Sequence, residues 1–177
     1  MRIVGGIYRG RTLVSFSGQD IRPTSDMVRE SLFNVLQFEI AGKTFLDLFC
    51  GTGAMGIEAL SRGASEVTLN DYSRDSLSVT KKNVAKIGNP KNLTIENKDA
   101  ITFLQKTNEK FDFIFIDPPY KTDLGEKALD LVSNLLTENG KAIFESEKRC
   151  EFTPKGLKKI DERKYGRAIL TFFSKGE

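Results

Sequence analysis

The sequence predicts an α/β domain built on a mostly parallel sheet with helices on both faces. Three observations predict it. Strand-like and helix-like patterns alternate from residue 44 to 146, a rhythm that parallel sheets require because each crossover needs a helix. A glycine-rich turn, Gly51-x-Gly53-x-x-Gly56, joins the first strand of the series to a helix. An acid, Asp71, follows 20 residues after Gly51, just past the second strand. At 177 residues the chain suits one domain that buries about 70% of its unfolded surface without a disulfide or metal staple.

"TFLDLF" (44–49) is an apolar strand, and "AMGIEALSRG" (54–63) is a helix closed by glycine. "EVTLN" (66–70) is a strand, followed by a helix over 73–88 with Leu77, Val84 and Ile87 on its apolar side. "LTIEN" (93–97), the helix "AITFLQK" (100–106) and the strand "FDFIFI" (111–116) continue the alternation. A helix over 124–136 and the strand "KAIFES" (141–146) complete it. The ends depart from this rhythm. Segments 2–8 and 11–16 flank Arg9-Gly10 and predict an N-terminal hairpin. A helix over 23–38 follows, capped by Thr24 or Ser25. At the other end, segments 157–164 and 167–175 flank Tyr165-Gly166 and predict a second hairpin, which makes one strand antiparallel. The expected division is a hairpin extension over 1–22 and a main domain over 23–177.

Composition narrows the chemistry. The chain has no histidine, so Ser-His-Asp and Cys-His catalysis and histidine metal sites are excluded. Cys50 and Cys150 lack metal-like spacing and fit a reducing, cytoplasmic setting. The first residues contain no long apolar run, so no signal peptide is expected. No stretch approaches the roughly 20 apolar residues of a membrane span. The net charge of +3 is uneven: +2 over residues 1–43, −3 over 44–140 and +4 over 141–177. Basic ends can meet a polyanion.

The glycine loop has the context that a nucleotide-binding turn needs, after a strand and opening a helix. Glycine lets the turn tighten and a ligand approach the backbone. Asp71 is placed to accept hydrogen bonds from ribose hydroxyls. The loop lacks the Gly-Lys-Ser/Thr ending of a P-loop, so triphosphate hydrolysis is not expected. Asp47 sits inside the first strand, where burying an acid is costly. It caps backbone amides or faces a cationic cofactor group, and the second reading is the expectation. Asp99 either accepts from an adenine amine, with the Ala100 amide nearby, or caps the next helix. The motif fits a nicotinamide dinucleotide and S-adenosylmethionine equally.

Asp117-Pro118-Pro119-Tyr120 ends the fourth strand, at the sheet edge where ligands bind in such folds. An aromatic amine is a poor nucleophile because its lone pair is delocalised. The Asp117 carboxylate and the Pro118 carbonyl, held rigid by Pro119, can accept both N–H bonds and expose that lone pair. Tyr120 can stack on the ring. Transfer to the amine is then mostly positioning, with Asp117 taking the proton.

These segments carry a resemblance. "RIVGGIYRGR", "RPTSDMVRESLFNVL", "DLFCGTGAMGIEALSRGA" and "FIDPPY" resemble the RsmD family, whose members use S-adenosylmethionine to methylate the N2 amine of a guanine in small-subunit (16S) ribosomal RNA. The resemblance spans nearly the whole chain. It implies a Rossmann-like, seven-stranded, mostly parallel sheet with one antiparallel strand. It implies cofactor contacts at Gly51, Gly53, Asp71 and Asp99, and catalysis at Asp117 through Tyr120. Family members often carry phenylalanine-alanine-glycine where Phe49-Cys50-Gly51 stands, and a tryptophan near Tyr8.

A guanine amine is hidden in paired RNA, so the base must be single-stranded or extruded. Arg2, Arg9, Arg11 and Arg22 are candidate phosphate contacts, and Thr24 a candidate for the base pocket. The expected particle is an assembled or partly assembled small subunit, met by a monomer. Rival readings are methylation of adenine in DNA or of a protein glutamine, and a nicotinamide-binding protein. Cytosine C5 chemistry is disfavoured because no Pro-Cys nucleophile exists.

Overall fold

The computed structural model describes residues 1–16 and 23–176, without the side chains of Pro23, Thr24 and Ser25. The expected hydroxyl cap of the first helix and Arg22 therefore lie outside the described residues. Helix α1 spans Pro23–Val35, and the alternation then runs β1 (Thr44–Asp47), α2 (Ala54–Ser61), β2 (Glu66–Asn70), α3 (Arg74–Lys86), β3 (Leu93–Glu96), α4 (Ala100–Lys106), β4 (Phe111–Ile116) and α5 (Leu124–Val132). The long strand β5 (Leu136–Ser146) and the hairpin β6 (Leu157–Tyr165) and β7 (Ala168–Lys175) close the chain.

The seven strands lie in the order β3-β2-β1-β4-β5-β7-β6. Strands β1 to β5 pair in parallel, and β7 runs antiparallel to both β5 and β6. The predicted C-terminal hairpin thus supplies the one reversed strand. Alternation along the strands sorts the core into two layers. Phe45, Phe113, Phe115, Ile143, Leu170 and Phe172 face α1, α2 and α3. Leu46, Ile114, Ile116, Ala142, Phe144 and Phe173 face α4 and α5. Both layers are apolar because a covered parallel sheet has no wet face.

Two expectations change. The helix expected to reach Leu136 ends at Val132, a 3-10 turn covers Ser133–Leu135, and strand pairing begins at Leu136. The register passes from Phe111 opposite Leu136 to Phe113 opposite Lys141. Residues 137–140, which fall between the expected helix and strand, bulge out of a strand already begun. The N-terminal hairpin is only partly formed. The chain reverses, with the Ile3 amide donating to the Arg11 carbonyl at 3.0 Å, but the pairing is a single antiparallel bridge between Arg2 and Thr12.

This N-terminal arm is bonded to α2 instead. Glu58, wholly buried on α2, accepts from the Val4 and Gly5 amides at 2.9 and 2.8 Å. The same carboxylate meets Arg62 at 2.8 Å and the buried Arg29 of α1 at 3.4 Å. Arg29 also donates to the Arg2 carbonyl. Ile3 and Leu13 enter the apolar layer beneath. Removing one partner of a buried charge cluster strands the others. Glu58→Ala is therefore expected to lower unfolding free energy by ~3 kcal/mol or more, measured by urea denaturation. A loss within the range of a surface substitution would contradict this account of the arm.

Candidate active site

The strand order creates the site. From β1 the chain crosses to β2 on one side, and β4 returns on the other. The C-terminal ends of β2, β1 and β4 therefore stand side by side, with the switch point between β1 and β4. Ligands bind at such a point in open α/β sheets. Asp71, the glycine loop and Asp117 leave these three adjacent strand ends.

The loop is held from all sides. The Cys50 amide donates to the Asn70 carbonyl at 2.9 Å. The Gly51 amide donates to Asp71 Oδ2 at 2.9 Å, and the Ser73 amide to Asp71 Oδ1 at 2.8 Å. Thr80 and Asn83 lie three apart on α3, wholly buried. Thr80 Oγ1 donates to the Gly51 carbonyl at 2.7 Å, and Asn83 Nδ2 to the Thr52 carbonyl at 2.9 Å. Gly53 has φ 81, a left-handed conformation that favours glycine. At Gly56 a Cβ would stand 2.2 Å from Leu69 Cδ2. Only glycine lets α2 start this close to β2, the helix–strand packing role of the third glycine.

Asp47 is 1% exposed and accepts from the Gly56 amide at 3.2 Å. The amide-capping contact exists, and it leaves the carboxyl beneath the loop. Burial pushes its pKa from 3.8 up to about 8; the Gly56 bond opposes this, and the charges of Asp117 and Asp71 add to it. Burial, reinforced by Asp47, also pushes the Cys50 thiol well up. Its sulfur sits 3.7 Å from Thr80 Oγ1, so Cys50 is a packed small residue rather than a nucleophile.

On the β2–β3 side, an open depression is lined by Tyr72, Ser73, Arg74, Asn97 and Asp99. Asp99 caps α4, accepting from the Thr102 amide at 2.9 Å, while remaining exposed. Ala100 begins that helix, so its amide is one of the first-turn donors without an intrahelical partner. Asn97 Nδ2 bonds the Asp71 and Tyr72 carbonyls, both at 2.9 Å, and fixes the depression's floor.

On the β4 side, Asp117 is exposed and Tyr120 is 49% exposed. Pro118 packs on the start of α5, where a Cβ on Gly125 would meet its Cγ at 2.9 Å. Thr122 Oγ1 donates to the Pro119 carbonyl at 2.8 Å, and Lys121 adopts φ 59. A non-glycine residue in this region is uncommon and marks a constrained turn. The corner is rigid because a proline, a helix start and a hydroxyl bond fix it.

Among the described residues, the candidate arginines Arg2, Arg9 and Arg11 are bonded along the arm rather than at this corner. Arg2 and Arg9 are exposed on the arm, whose turn bonds Ser61 at the last turn of α2. That point is ~12 Å along the helix from the glycine loop. Arg11 donates to the Lys86 carbonyl at 3.0 Å and lies 5.0 Å over the Tyr8 ring. Sequence reasoning missed Thr80, Asn83, Glu58 and Phe16, whose ring lies 3.8 Å from where a Gly51 Cβ would be. Polar residues at buried helical positions were the available signal for the first three.

Order and direction of the strands identify the class. A reversed β7 set between β5 and β6, with a glycine loop after β1, is the arrangement of class I methyltransferases, and this chain is one of them. The solved structure of yhhF from Escherichia coli, described as a methyltransferase, matches with TM-score 0.87 and 30% identity, covering 100% of this chain and 98% of that one. The solved structure of HI0767 from Haemophilus influenzae matches with TM-score 0.81 and 31% identity over 99% and 98%. The chain belongs to the family described as conserved hypothetical protein 95, whose model matches residues 1–174. Ribosomal RNA small subunit methyltransferase D of Haemophilus influenzae is 34% identical over 172 residues, 94% of this chain and 89% of the relative. The protein of that name in Escherichia coli is 40% identical over 142 residues, 79% and 68%.

The pKa of Asp47 has a consequence for stability. Between pH 3.8 and about 8 the folded chain holds a proton that the unfolded chain has lost. Stability therefore falls as pH rises through this window, by up to ~1.4 kcal/mol per pH unit, and levels off above it. Asp47→Asn is expected to remove that slope, measured as denaturation midpoints at several pH values inside the window. Equal slopes in both proteins would contradict the assignment.

Proposed function

We propose that the protein transfers a methyl group from S-adenosylmethionine to the exocyclic N2 amine of a guanine in small-subunit (16S) ribosomal RNA. The observation that carries this reading is the placement of the glycine loop with Asp71, and of the Asp117–Tyr120 corner, on adjacent strand ends at the sheet's switch point. The names of the relatives supply the RNA and the subunit.

The residues fit the cofactor. Gly51 leaves part of its backbone open, Gly53 makes the left-handed turn beneath it, and Asp71 keeps lone pairs for ribose hydroxyls beyond its two amide bonds. Asp99 and the Ala100 amide would bind adenine in the depression beside them. Asp47 is the acid beneath the loop, and a cationic group nearby would favour its ionised form. When bound, S-adenosylmethionine supplies a methyl group on a cationic sulfur. The Asp117 carboxylate and the Pro118 carbonyl accept the amine's two N–H bonds, and Pro119 keeps that carbonyl in place. Tyr120 stacks on the base, and Asp117 takes the proton that leaves the nitrogen.

The substrate is an assembled or partly assembled small subunit, met in the cytoplasm by a monomer. Residues 1–22 act as an RNA-facing extension of the methyltransferase domain over 23–177. Arg2, Arg9, Arg11 and Arg22 would meet phosphates flanking the target, with Thr24 at the base pocket. Among the described residues no helix is long and apolar enough to cross a membrane.

Methyl transfer to unmethylated small subunits, naked DNA and a glutamine-bearing protein tests the substrate, with transfer expected to the subunits alone. Asp117→Ala is expected to lower kcat by ~100-fold or more with cofactor affinity retained in calorimetry. Full activity in that variant would contradict the mechanism, and binding of NAD without S-adenosylmethionine would contradict the whole reading.

A further inference from the structure

The glycine loop and the N-terminal arm are joined by one side chain. Asn83 is wholly buried. It donates from Nδ2 to the Thr52 carbonyl of the glycine loop at 2.9 Å and to the Val14 carbonyl of the arm at 3.0 Å. Its Oδ1 accepts from the Val14 amide at 2.6 Å. Both hydrogens and the carbonyl oxygen are used, so the side chain cannot release one partner without leaving a buried polar group unpaired. The neighbouring contacts extend the link in both directions. Below Asn83, Lys86 Nζ donates to the Thr12 carbonyl at 3.2 Å, and Arg11 donates to the Lys86 carbonyl at 3.0 Å. Above it, the Phe16 ring reaches the space over Gly51. The second leg of the arm therefore runs along α3 from its arginine-bearing turn to the cofactor loop.

We propose that Asn83 is a positioning residue that couples cofactor binding to RNA binding, by making the loop over 51–53 and arm residues 12–16 a single ordered unit. The inference rests on the methyltransferase reading above. A cofactor seated on the loop fixes the Thr52 peptide; through Asn83 it fixes Val14, and with it the arm. By linkage, RNA held on the arm tightens the cofactor by the same factor. A purely structural Asn83 would support the fold equally with and without ligand and would produce no such coupling.

The test uses the full chain, S-adenosylhomocysteine as the non-reacting probe and a small-subunit ribosomal RNA transcript. In the unmodified protein, saturating S-adenosylhomocysteine is expected to slow amide hydrogen exchange over residues 12–16 and to tighten RNA binding at least ~5-fold. In Asn83→Ala that ratio is expected to fall towards one, with each ligand still binding alone. S-adenosylhomocysteine that binds the unmodified protein and leaves residues 12–16 exchanging as before overturns the inference alone. Failure to bind it at all overturns the methyltransferase reading and this inference with it. The exchange measurement needs no variant, so a poorly folding Asn83→Ala does not shield the inference.

Discussion

The close approach of α2 to β2 at Gly56 is the constraint on which the rest depends. A single methyl there would collide with Leu69. Because nothing intervenes, α2 starts directly above the strand ends. Its first amides face inward, where Gly56 meets Asp47, and the loop before it is pressed against α3, where Thr80 and Asn83 hold its carbonyls. The same placement directs Glu58 beneath the arm. One missing side chain thus sets the loop, the buried acid and the seat of the N-terminal segment.

Two buried carboxylates on this scaffold meet opposite conditions. Glu58 is surrounded by two arginines and two amides, so its charge is matched and it ties elements together. Asp47 has the Gly56 amide and, near it, the charges of Asp71 and Asp117. It is an acid held where its ionised form is disfavoured, which is the environment a cationic ligand would relieve. Perturbed groups of this kind gather at functional sites, and the three acids lie on the three strand ends that form this one.

Much of this was legible in the sequence. The strand–helix alternation, the glycine loop, Asp71 and the reversed strand each follow from local pattern, because period, turn chemistry and spacing are local properties. The β5 start at Leu136 was not legible, since Thr137 to Gly140 has turn composition and only pairing with Phe111 makes it strand. The arm was read as a hairpin from the two segments that flank Arg9-Gly10. It pairs through one bridge because Glu58 and Ser61, more than 50 positions away in the chain, take its amides. Asn83 and Thr80 fall among the apolar positions of their helix, which signals burial; the carbonyls they hold lie about 30 residues away, and no local pattern names those partners. The Asp117 corner was read for its chemistry, and the structure adds the means of its rigidity: Gly125 behind Pro118 and Thr122 on the Pro119 carbonyl.

The central claim is that the loop side and the corner side form one site, with the donor on the first and the amine on the second. A crystal structure with S-adenosylhomocysteine tests it most directly. The account predicts the ribose on Asp71, the adenine beside Asp99, and the sulfur facing the Asp117–Tyr120 corner across the end of β1. A ligand bound instead in the separate depression lined by Thr68, Thr94, Phe103 and Glu109, or with its sulfur turned away from Asp117, would contradict it.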